Sequence, residues 1–386
     1  MKTRAAIAYE TNQEWSLDKQ LWKVEELELA PLGPQDVLVR LPATGVCHTD
    51  LHIITGELAP TGFPIIGGHE GAGVVEEVGR EVTHVEPGDH VILSIVASCG
   101  ACRFCRRGKA TLCVRSIDAL SGLHRDGRPR YRTAQGQDVG QWSLLGTFSE
   151  YVVASAEAAI KIDPGIPLDN ASIVGCAVTT GLGAAIDKAG VRSGDTVAVW
   201  GCGGVGLSAV QGALIAGASE VVAIDTNDLK LAKAKELGAT LTLNPHRDRT
   251  PNPYRDETAE KVMEYTEWVG ADSTILTVDY VTPELVGAAF GTIRNGGILV
   301  VVGVSHPSHD HVKVSPLELA MSEKGVVGSV YGSGTPTLDL PRNLHFYTRG
   351  QLHLDEMITR TYPLEQVNNA FDDLLNGTVV KTLLTF

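Results

Sequence analysis

Short apolar stretches separated by Gly and Pro fill roughly the first 110 residues. Apolar and β-branched residues cluster at residues 36–40, 73–79 and 89–93, each stretch long enough for one strand. Such strands, bounded by turn residues, are typical of a β-rich, loop-rich domain. The frequent glycines allow tight turns and close backbone approach between neighbouring segments.

The pattern changes near residue 171. Helical stretches at residues 177–189 and 207–216 alternate with strand-like runs at residues 196–200 and 220–224. Residues 273–278 and 297–304 are continuous apolar runs, as expected for buried parallel strands. An amphipathic helix at residues 363–376 and a strand at residues 379–386 follow. The alternation predicts an α/β fold with a doubly wound parallel sheet after the β-rich segment.

A Gly-rich turn joins the strand at residues 196–200 to the next helix. Gly201, Gly203, Gly204 and Gly206 follow a GxGxxG pattern, and Asp225 ends the next strand about 20 residues on. Such glycines let backbone amides approach a pyrophosphate at the helix N-terminus, and the acid binds the adenosine ribose. Because an acid repels a 2′-phosphate and no Arg follows it, the motif favours NAD over NADP. A Gly-rich turn without a ligand is the alternative.

Cysteine and histidine recur in two stretches that favour a metal. Cys47 lies at residues 45–52, His69 at residues 67–71, and Cys176 could supply a third ligand. Thiolate and imidazole are ligands that zinc prefers, and three of them leave a tetrahedral position open, as in catalytic sites. The alternative is that the two cysteines are small buried apolar residues and the histidine is a hydrogen-bonded core residue.

A second group of thiols follows. Its members are Cys99, Cys102, Cys105 and Cys113. Four thiols at these spacings can converge on one ion, and a closed Cys₄ set is a structural zinc site. Iron–sulfur ligation and a disulfide pair are the alternatives. The metal would stabilise a lobe, at about residues 97–115, that has little apolar content.

Composition narrows the class of protein and of partner. The 386 residues carry a formal net charge of -14, with 43% hydrophobic and 20% charged residues, which suits a packed globular protein. The charge argues against nucleic acid and anionic membranes. No apolar run reaches about 18 residues, so no membrane-spanning helix is expected. The N-terminus lacks a signal peptide pattern, so the seven cysteines are expected to be free thiols or metal ligands and the protein to be cytoplasmic.

Residues 118–143 are polar and Gly-rich, which predicts a long surface loop or lid.

From end to end the chain resembles the zinc-dependent medium-chain alcohol dehydrogenases. The order of Cys47, His69, the four-cysteine lobe, Cys176 and the Gly-rich turn carries this resemblance. Residues 68–79, 136–141 and 144–151 are most similar to the nicotinoprotein, or NDMA-dependent, alcohol dehydrogenases. The resemblance implies a GroES-like catalytic domain at residues 1–177 and 330–386, with a Rossmann domain inserted at residues 178–329.

The resemblance also implies roles for single residues. Cys47, His69 and Cys176 would bind the catalytic zinc, Asp50 would orient His69, and Glu70 would lie behind the metal and ligate it transiently. The remaining residues would contact the cofactor. His48 and Lys381 would face the phosphates, and Lys230 would support Asp225. Thr180, Val205 and Val304 would border the nicotinamide.

The implied reaction is hydride transfer between an alcohol and NAD. Zinc would lower the pKa of the alcohol, and Thr49 would pass its proton, through the nicotinamide ribose, to His52, because the unperturbed histidine pKa of about 6.5 suits that role. Leu58, Ile95, Phe148 and Val304 would form an apolar pocket for a primary alcohol with an aliphatic, terpenoid or aromatic tail.

The resemblance leaves several alternatives open. An ordinary NAD-exchanging alcohol dehydrogenase would have the same fold and chemistry. The thiol-adduct formaldehyde dehydrogenases carry an acid where this chain has Leu58 and an Arg near the place of Ile117. A non-catalytic relative or a zinc hydrolase would leave Thr49, His52 or Asp225 without a role. A nicotinoprotein would keep its NAD(H) and need a second substrate or redox partner to reset it, and the family implies a homo-oligomer.

Overall fold

The structure is a computed structural model that describes residues 1–12, 15–58, 62–115, 122, 124, 126–247, 257–305 and 308–386. Contacts within the chain divide it into two compact units. Unit 1 comprises Met1–Cys176, Thr335–Arg349 and Leu354–Phe386, and unit 2 comprises Ala177–Gly334 and Gly350–His353. Within the described residues, no helix is both long and apolar enough to cross a membrane.

Strands dominate the first part of the chain, and helices alternate with strands in the second. In chain order, the strands are β1 (Lys2–Ala8), β2 (Lys23–Leu29), β3 (Asp36–Gly45), β4 (Ile65–Ile66), β5 (Glu70–Val78), β6 (His90–Leu93), β7 (Tyr131–Arg132), β8 (Asp138–Gln141), β9 (Tyr151–Ser155), β10 (Ala159–Lys161), β11 (Thr196–Trp200), β12 (Glu220–Ile224), β13 (Leu241–Leu243), β14 (Ala271–Leu276), β15 (Ile293–Val301), β16 (Gly325–Gly328), β17 (Ile358–Pro363) and β18 (Lys381–Thr385). The helices are α1 (His48–Thr55), α2 (Leu168–Ile173), α3 (Thr179–Gly183), α4 (Gly204–Ala216), α5 (Asp228–Glu236), α6 (Glu257–Tyr265), α7 (Pro283–Phe290), α8 (Pro316–Met321), α9 (Pro336–Thr348) and α10 (Val367–Leu375).

Unit 1 is built from two β structures. A small closed barrel has the strand order β1-β2-β7-β8-β4. A second sheet has the order β10-β6-β5-β3-β18-β17, with β9 also paired to β3. β3 therefore carries antiparallel partners in β5, β9 and β18, and its buried, β-branched residues suit such a central strand.

Three aromatic rings form the centre of the barrel core. Trp22, Phe148 and Phe371 pack with ring centroids 5.4, 5.8 and 6.0 Å apart. All three side chains are fully buried, so each contributes most of its apolar area to this core. Because Phe371 lies on α10, the C-terminal helix is fixed to the barrel through its apolar face, as its amphipathic pattern predicted.

Unit 2 contains a six-stranded parallel sheet. Its order is β13-β12-β11-β14-β15-β16, and every neighbouring pair runs parallel. The order reverses beside β11, which is the topology of a doubly wound dinucleotide-binding sheet. The predicted strands at residues 196–200 and 220–224 coincide with β11 and β12, and buried apolar runs form β14 and β15.

The segment at residues 118–143 departs from the predicted surface loop. Residues 116–121, 123 and 125 lie outside the described residues, but residues 131–132 and 138–141 form β7 and β8 of the barrel. Arg130 and Tyr131 are buried, at 5% and 0% exposure. Asp36 pairs with Arg130, which explains why this basic residue of the predicted surface loop is inside the protein.

Candidate metal and dinucleotide sites

The turn after β3 and the helix α1 place four of the predicted site residues together. Cys47 immediately precedes α1 in an extended conformation, with φ -129°, and Thr49, Asp50 and His52 lie on α1 itself. The Cys47 and Thr49 side chains approach to 3.6 Å between Sγ and Oγ1. The helix ends at Gly56, whose φ of 83° is the left-handed conformation that glycine adopts without strain.

Four side chains converge at one buried point of unit 1. Cys47, His69, Glu70 and Cys176 each offer one ligand atom, and these atoms all lie within 4.8 Å of one another. Cys176 lies in a π-helical turn, Val174–Val178, a geometry that often occurs at functional sites. Two thiols and an imidazole are a donor set that fits zinc, so the residues suit the ion predicted from the sequence.

Asp50 orients the histidine of this cluster. Its Oδ1 lies 2.9 Å from His69 Nδ1 and accepts a hydrogen bond from the Gly68 amide at 3.0 Å. An ionised carboxylate can only accept, so Nδ1 carries the proton and Nε2 is the nitrogen available to a metal. Asp50 is completely buried, and burial raises its pKa although the charge of His69 opposes this.

The same cluster favours a thiolate at Cys47. A hydrogen bond from the Cys176 thiol lowers the pKa of Cys47 well below its usual value of 9.0, against burial, and His69 and Lys381 add to this effect. The thiolate is the form of cysteine that ligates a metal. The electrostatics of the cluster therefore prepare one of its two thiols for coordination.

Glu70 and Lys381 form a buried ion pair beside the cluster. Lys381 Nζ lies 2.5 Å from Glu70 Oε2 and donates a hydrogen bond to the Val46 carbonyl at 2.9 Å. Burial raises the pKa of Glu70 to about 7, although the Lys381 charge opposes this shift. Lys381 is only 4% exposed, because the buried carboxylate needs this cation as its counter-ion. Its predicted contact with a pyrophosphate stays a prediction.

The four-cysteine lobe also converges. The ligand atoms of Cys99, Cys102, Cys105 and Cys113 lie within 4.8 Å of one another. Amide hydrogen bonds from Cys105 and Val114 lower the pKa of Cys102 to about 6. Burial and neighbouring thiols raise the pKa of Cys105 to about 12, so a positive ion is needed to keep all four deprotonated. The set fits a closed metal site in a lobe built of two 3-10 turns, Cys105–Arg107 and Ala110–Leu112.

The Gly-rich turn of unit 2 lies between β11 and α4. Gly201 has a φ of 91°, and a Cβ there would lie 2.7 Å from the Val278 amide nitrogen. A Cβ on Gly206 would lie 1.7 Å from the Gly201 carbonyl oxygen. Gly203 precedes α4 and provides no side-chain cap, so the first amides of the helix are not occupied by a capping side chain. This geometry suits a pyrophosphate at the helix N-terminus.

Asp225 follows β12 at the carboxyl edge of the same sheet. Its two carboxylate oxygens accept hydrogen bonds from the Cys202 amide at 2.6 Å and the Asn227 amide at 2.8 Å. These contacts hold the carboxylate beside the Gly-rich turn, as required for a ribose contact. The other predicted cofactor residues of unit 2 are Gly204 and Val205 at the start of α4, Thr180 in α3, Lys230 in α5 and Val304 just after β15.

Two family models match the chain. The model described as "Alcohol dehydrogenase GroES-like domain" matches residues 33–164, and that described as "Zinc-binding dehydrogenase" matches residues 204–349. The chain is also 41% identical over 386 residues to "Putative alcohol dehydrogenase D" of Mycobacterium tuberculosis, covering 100% of both proteins. The chain belongs to the zinc-dependent medium-chain alcohol dehydrogenase family. This confirms the family and the fold class predicted from the sequence.

Within this family the similarity extends to two further proteins. The chain is 41% identical over 384 residues to the "NDMA-dependent alcohol dehydrogenase" of Amycolatopsis methanolica, covering 100% of this chain and 99% of that protein. The crystal structure of benzyl alcohol dehydrogenase from Acinetobacter calcoaceticus superposes with a TM-score of 0.89 at 26% identity, covering 100% and 99% of the two chains. The chain is therefore a zinc- and NAD-dependent alcohol dehydrogenase, an oxidoreductase that acts on CH–OH groups.

The structure places the predicted substrate residues of this alcohol dehydrogenase in different surroundings within their own units. Ile95 borders a cavity of about 300 Å³ in unit 1 that Leu144 and His124 also line. Phe148 has an exposed fraction of 0% because Trp22 and Phe371 enclose its ring, so it is a core residue. Leu58 is half-buried after α1, and Val304 belongs to unit 2. Ile117 lies outside the described residues.

His52 has a partner that the sequence did not reveal. Its side chain is 4% exposed, and Nδ1 is hydrogen-bonded to the Glu57 carboxylate. The sequence suggested only a relay residue. The sequence signal for this contact was Glu57, which lies five residues after His52 and just past Gly56. A glycine that ends a helix reverses the chain, so the residue after it can return to the last helical turn.

Proposed function

We propose that this alcohol dehydrogenase is a nicotinoprotein that oxidises primary alcohols with NAD(H) that stays bound through turnover. The buried convergence of Cys47, His69 and Cys176 is the observation that carries the alcohol chemistry. The proposal that the cofactor is retained is supported by the 41% identity to an NDMA-dependent alcohol dehydrogenase over 100% of this chain. A second substrate or a redox partner then reoxidises the bound NADH.

Each residue of the buried cluster has a proposed role. Cys47, His69 and Cys176 would hold zinc, which would supply Lewis acidity that lowers the pKa of an alcohol toward neutral. Asp50 fixes the orientation of His69 and leaves Nε2 as its ligand nitrogen, because the Asp50 carboxylate accepts a hydrogen bond from Nδ1 at 2.9 Å. Glu70 supplies a further oxygen within the same 4.8 Å set, and Lys381 compensates its charge.

Thr49 and His52 are the proposed path for the alcohol proton. Both lie on α1, three residues apart, so their side chains lie on the same face of the helix. In the oxidation, the hydroxyl proton would pass by way of Thr49, and through the nicotinamide ribose, to His52, and NAD would accept the hydride from the C–H bond. The products are an aldehyde, bound NADH and a protonated His52, so atoms and charge balance.

In unit 2, the amides at the start of α4 and the Asp225 carboxylate are proposed to hold the dinucleotide. Asp225 would receive the ribose hydroxyls and repel a 2′-phosphate, so NAD is expected rather than NADP. Lys230 lies two residues into α5, near this carboxylate in sequence, and is proposed to support it. His48 is proposed as a weaker phosphate contact, and Thr180, Val205 and Val304 as the residues that border the nicotinamide.

The proposed substrates are primary alcohols with aliphatic, terpenoid or aromatic tails. The half-buried, apolar Leu58 after α1 supports this choice, together with the benzyl alcohol dehydrogenase among the similar structures. A panel of ethanol, hexanol, geraniol, benzyl alcohol and a hydroxymethyl thiol adduct tests it. Preference for the anionic thiol adduct would contradict the proposal and favour a formaldehyde dehydrogenase.

Cofactor retention is tested on protein purified without added nucleotide. The protein is denatured, and the released NAD(H) is measured per chain; the native protein is assayed with alcohol and NDMA alone. We expect about one NAD(H) per chain and turnover without added NAD, because bound NAD would be reduced and reoxidised in place. An empty protein that turns over only with added NAD would refute retention and identify an ordinary, NAD-exchanging enzyme.

Native mass spectrometry tests the two proposed zinc ions. We expect two per wild-type chain, and one in each of two variants, Cys176→Ser and Cys102→Ser. The first variant should lose alcohol oxidation and keep its melting temperature nearly unchanged, whereas the second should melt lower, since a structural zinc stabilises its lobe. Two ions in both variants would contradict the assignment.

We also propose that copies of this chain associate along β16. β16 is the edge of the unit 2 sheet, and Leu317 and Met321 on the preceding α8 are 71% and 77% exposed. An exposed strand edge beside apolar side chains is typical of a surface that another chain covers. Met321→Lys should then lower the mass observed by native mass spectrometry, and an unchanged mass would contradict this interface.

A further inference from the structure

The C-terminal end of α1 brings a carboxylate back onto His52. Gly56, with a φ of 83°, reverses the chain, and the Leu58 amide donates a hydrogen bond to the His52 carbonyl at 3.0 Å. This reversal places the Glu57 carboxylate against His52 Nδ1. The Thr55 hydroxyl also donates to Glu57 Oε2, at 3.2 Å, and so holds the carboxylate in position.

The contact determines which ring nitrogen of His52 is basic. An ionised carboxylate has no proton to donate, so the hydrogen bond requires a proton on Nδ1. The lone pair of the neutral ring then lies on Nε2. The His52 side chain is 4% exposed and that of Glu57 is 33% exposed, so the pair is partly shielded from water and the orientation of the ring is restricted.

We propose that Glu57 is a positioning residue for the proton path: it holds His52 in the tautomer and orientation in which Nε2 takes the alcohol proton. The proposal rests on the proposed function of His52. When Nε2 takes that proton, the ring becomes an imidazolium, and Glu57 stays ionised and pairs with it. No proton passes to Glu57, so the only bond broken in this step is the O–H bond of the donor.

A structural role for Glu57 is the competing explanation, because its contacts with Thr55 and His52 also close the end of α1. A residue that only stabilises this turn would affect activity with or without His52. A residue that acts through His52 would have no further effect once the imidazole is gone. The two roles therefore differ in a double-mutant cycle.

The tautomer is measured first, without any reaction. The full-length protein, purified with its zinc, is labelled with ¹⁵N-histidine, and His52→Gln identifies the His52 signals. We expect the wild-type neutral ring to carry its proton on Nδ1 and Glu57→Ala to lose that preference. A wild-type ring protonated on Nε2 would overturn the proposal, whether or not the protein oxidises alcohols.

Kinetics of the same enzyme follow. Glu57→Ala and Glu57→Gln should each lower kcat about tenfold or more, with KM for the alcohol within about twofold, since supporting carboxylates contribute effects of this size. In the His52→Gln background, Glu57→Ala should change kcat less than about twofold, because the imidazole through which it acts is absent. Glu77→Gln, a change at an exposed glutamate on β5, is the matched control and should leave kcat unchanged.

The outcomes separate the two proposals. Equal losses from Glu57→Ala with and without His52 would overturn the positioning role and indicate a structural one. Melting temperatures of the two Glu57 variants identify any loss of folding, and Glu57→Gln keeps the shape of the side chain if Glu57→Ala unfolds. An unaffected kcat in His52→Gln itself would remove His52 from the proton path, which refutes the proposed function and not the tautomer assignment.

Discussion

Arg130→Met should destabilise unit 1 far more than Arg132→Met, the same change two residues further along the chain. Arg130 and Asp36 are 5% and 4% exposed, and the guanidinium approaches the carboxylate with Nε–Oδ2 and Nη2–Oδ1 distances of 2.6 and 3.3 Å. Asp36 also accepts a hydrogen bond from the Gly33 amide at 2.7 Å. Methionine matches the length of the arginine stem but provides no charge, so the carboxylate remains buried without its counter-ion.

The size of the effect follows from burial. At 2.6 Å, the Nε–Oδ2 distance, and an effective dielectric constant of about 20, the attraction is about 6 kcal/mol before the cost of desolvating both groups. Removal of one partner of a buried pair typically costs about 3–5 kcal/mol, because the remaining charge is uncompensated. At roughly 2–4 °C per kcal/mol for a unit of this size, the melting temperature should fall by roughly 6–20 °C.

Arg132→Met is the matched control. Arg132 also pairs with an aspartate, Asp138, with an Nε–Oδ1 distance of 2.8 Å, but these side chains are 59% and 55% exposed. An exposed pair contributes about 0–1 kcal/mol, so this variant should melt within a few degrees of the wild type. Urea unfolding followed by tryptophan fluorescence gives the two free energies. Equal losses in both variants would refute the reasoning from burial.

Three other changes test separate parts of the structure. Gly206→Ala should prevent the Gly-rich turn from closing, because its Cβ would lie 1.7 Å from the Gly201 carbonyl oxygen; the bound NAD(H) per chain should fall, and a full complement would contradict the clash. Phe148→Ala should cost about 3–5 kcal/mol of unfolding free energy, as expected for a core ring; a variant that changes only the alcohol preference would restore its role in the pocket. The Lys161 ammonium lowers the pKa of Asp89, so this pair stabilises the fold above the ordinary carboxylate pKa of 3.8, and the contribution is lost as the pH falls further, through the lowered pKa of Asp89 in the folded protein. Lys161→Met should therefore lower the urea midpoint at about pH 7, and the difference from the wild type should shrink as the pH falls below 3.8 and Asp89 becomes protonated.

The parts of the fold that depend on neighbouring residues in sequence could be predicted. β11 and β12 begin and end where the apolar runs do, because a strand buried on both faces requires nearly every residue to be apolar. The Gly-rich turn was predictable because positive φ and close backbone contacts exclude other residues there. The residue types Cys47, His69 and Cys176 indicated a zinc site because few other roles require that donor set.

The surroundings that could not be predicted concern residues whose partners lie far away in sequence. The pyrophosphate contact of Lys381 stays a prediction, and the sequence did not show that Glu70, more than three hundred residues earlier, lies 2.5 Å from its ammonium. The polar, Gly-rich residues 118–143 suggested a surface loop, but part of this segment forms the barrel strands β7 and β8, and Arg130 is buried in a pair with Asp36. Phe148 suggested a pocket residue, and Phe371 and Trp22 enclose it. In each case burial against a distant partner gives the residue a structural role that its type alone did not indicate.

The sequence by itself therefore determined the family and the alternation of elements, and it predicted the residues proposed for the chemistry, since these depend on periodicity and on side-chain chemistry. Only the tertiary structure decided which carboxylate meets which cation, and on which nitrogen His52 carries its proton. The physical reason is that the charge state and orientation of a buried polar group depend on its desolvation and on the nearest opposite charge. Chain folding brings that charge from a distant segment, as for Lys381, or from just beyond a helix end, as for Glu57.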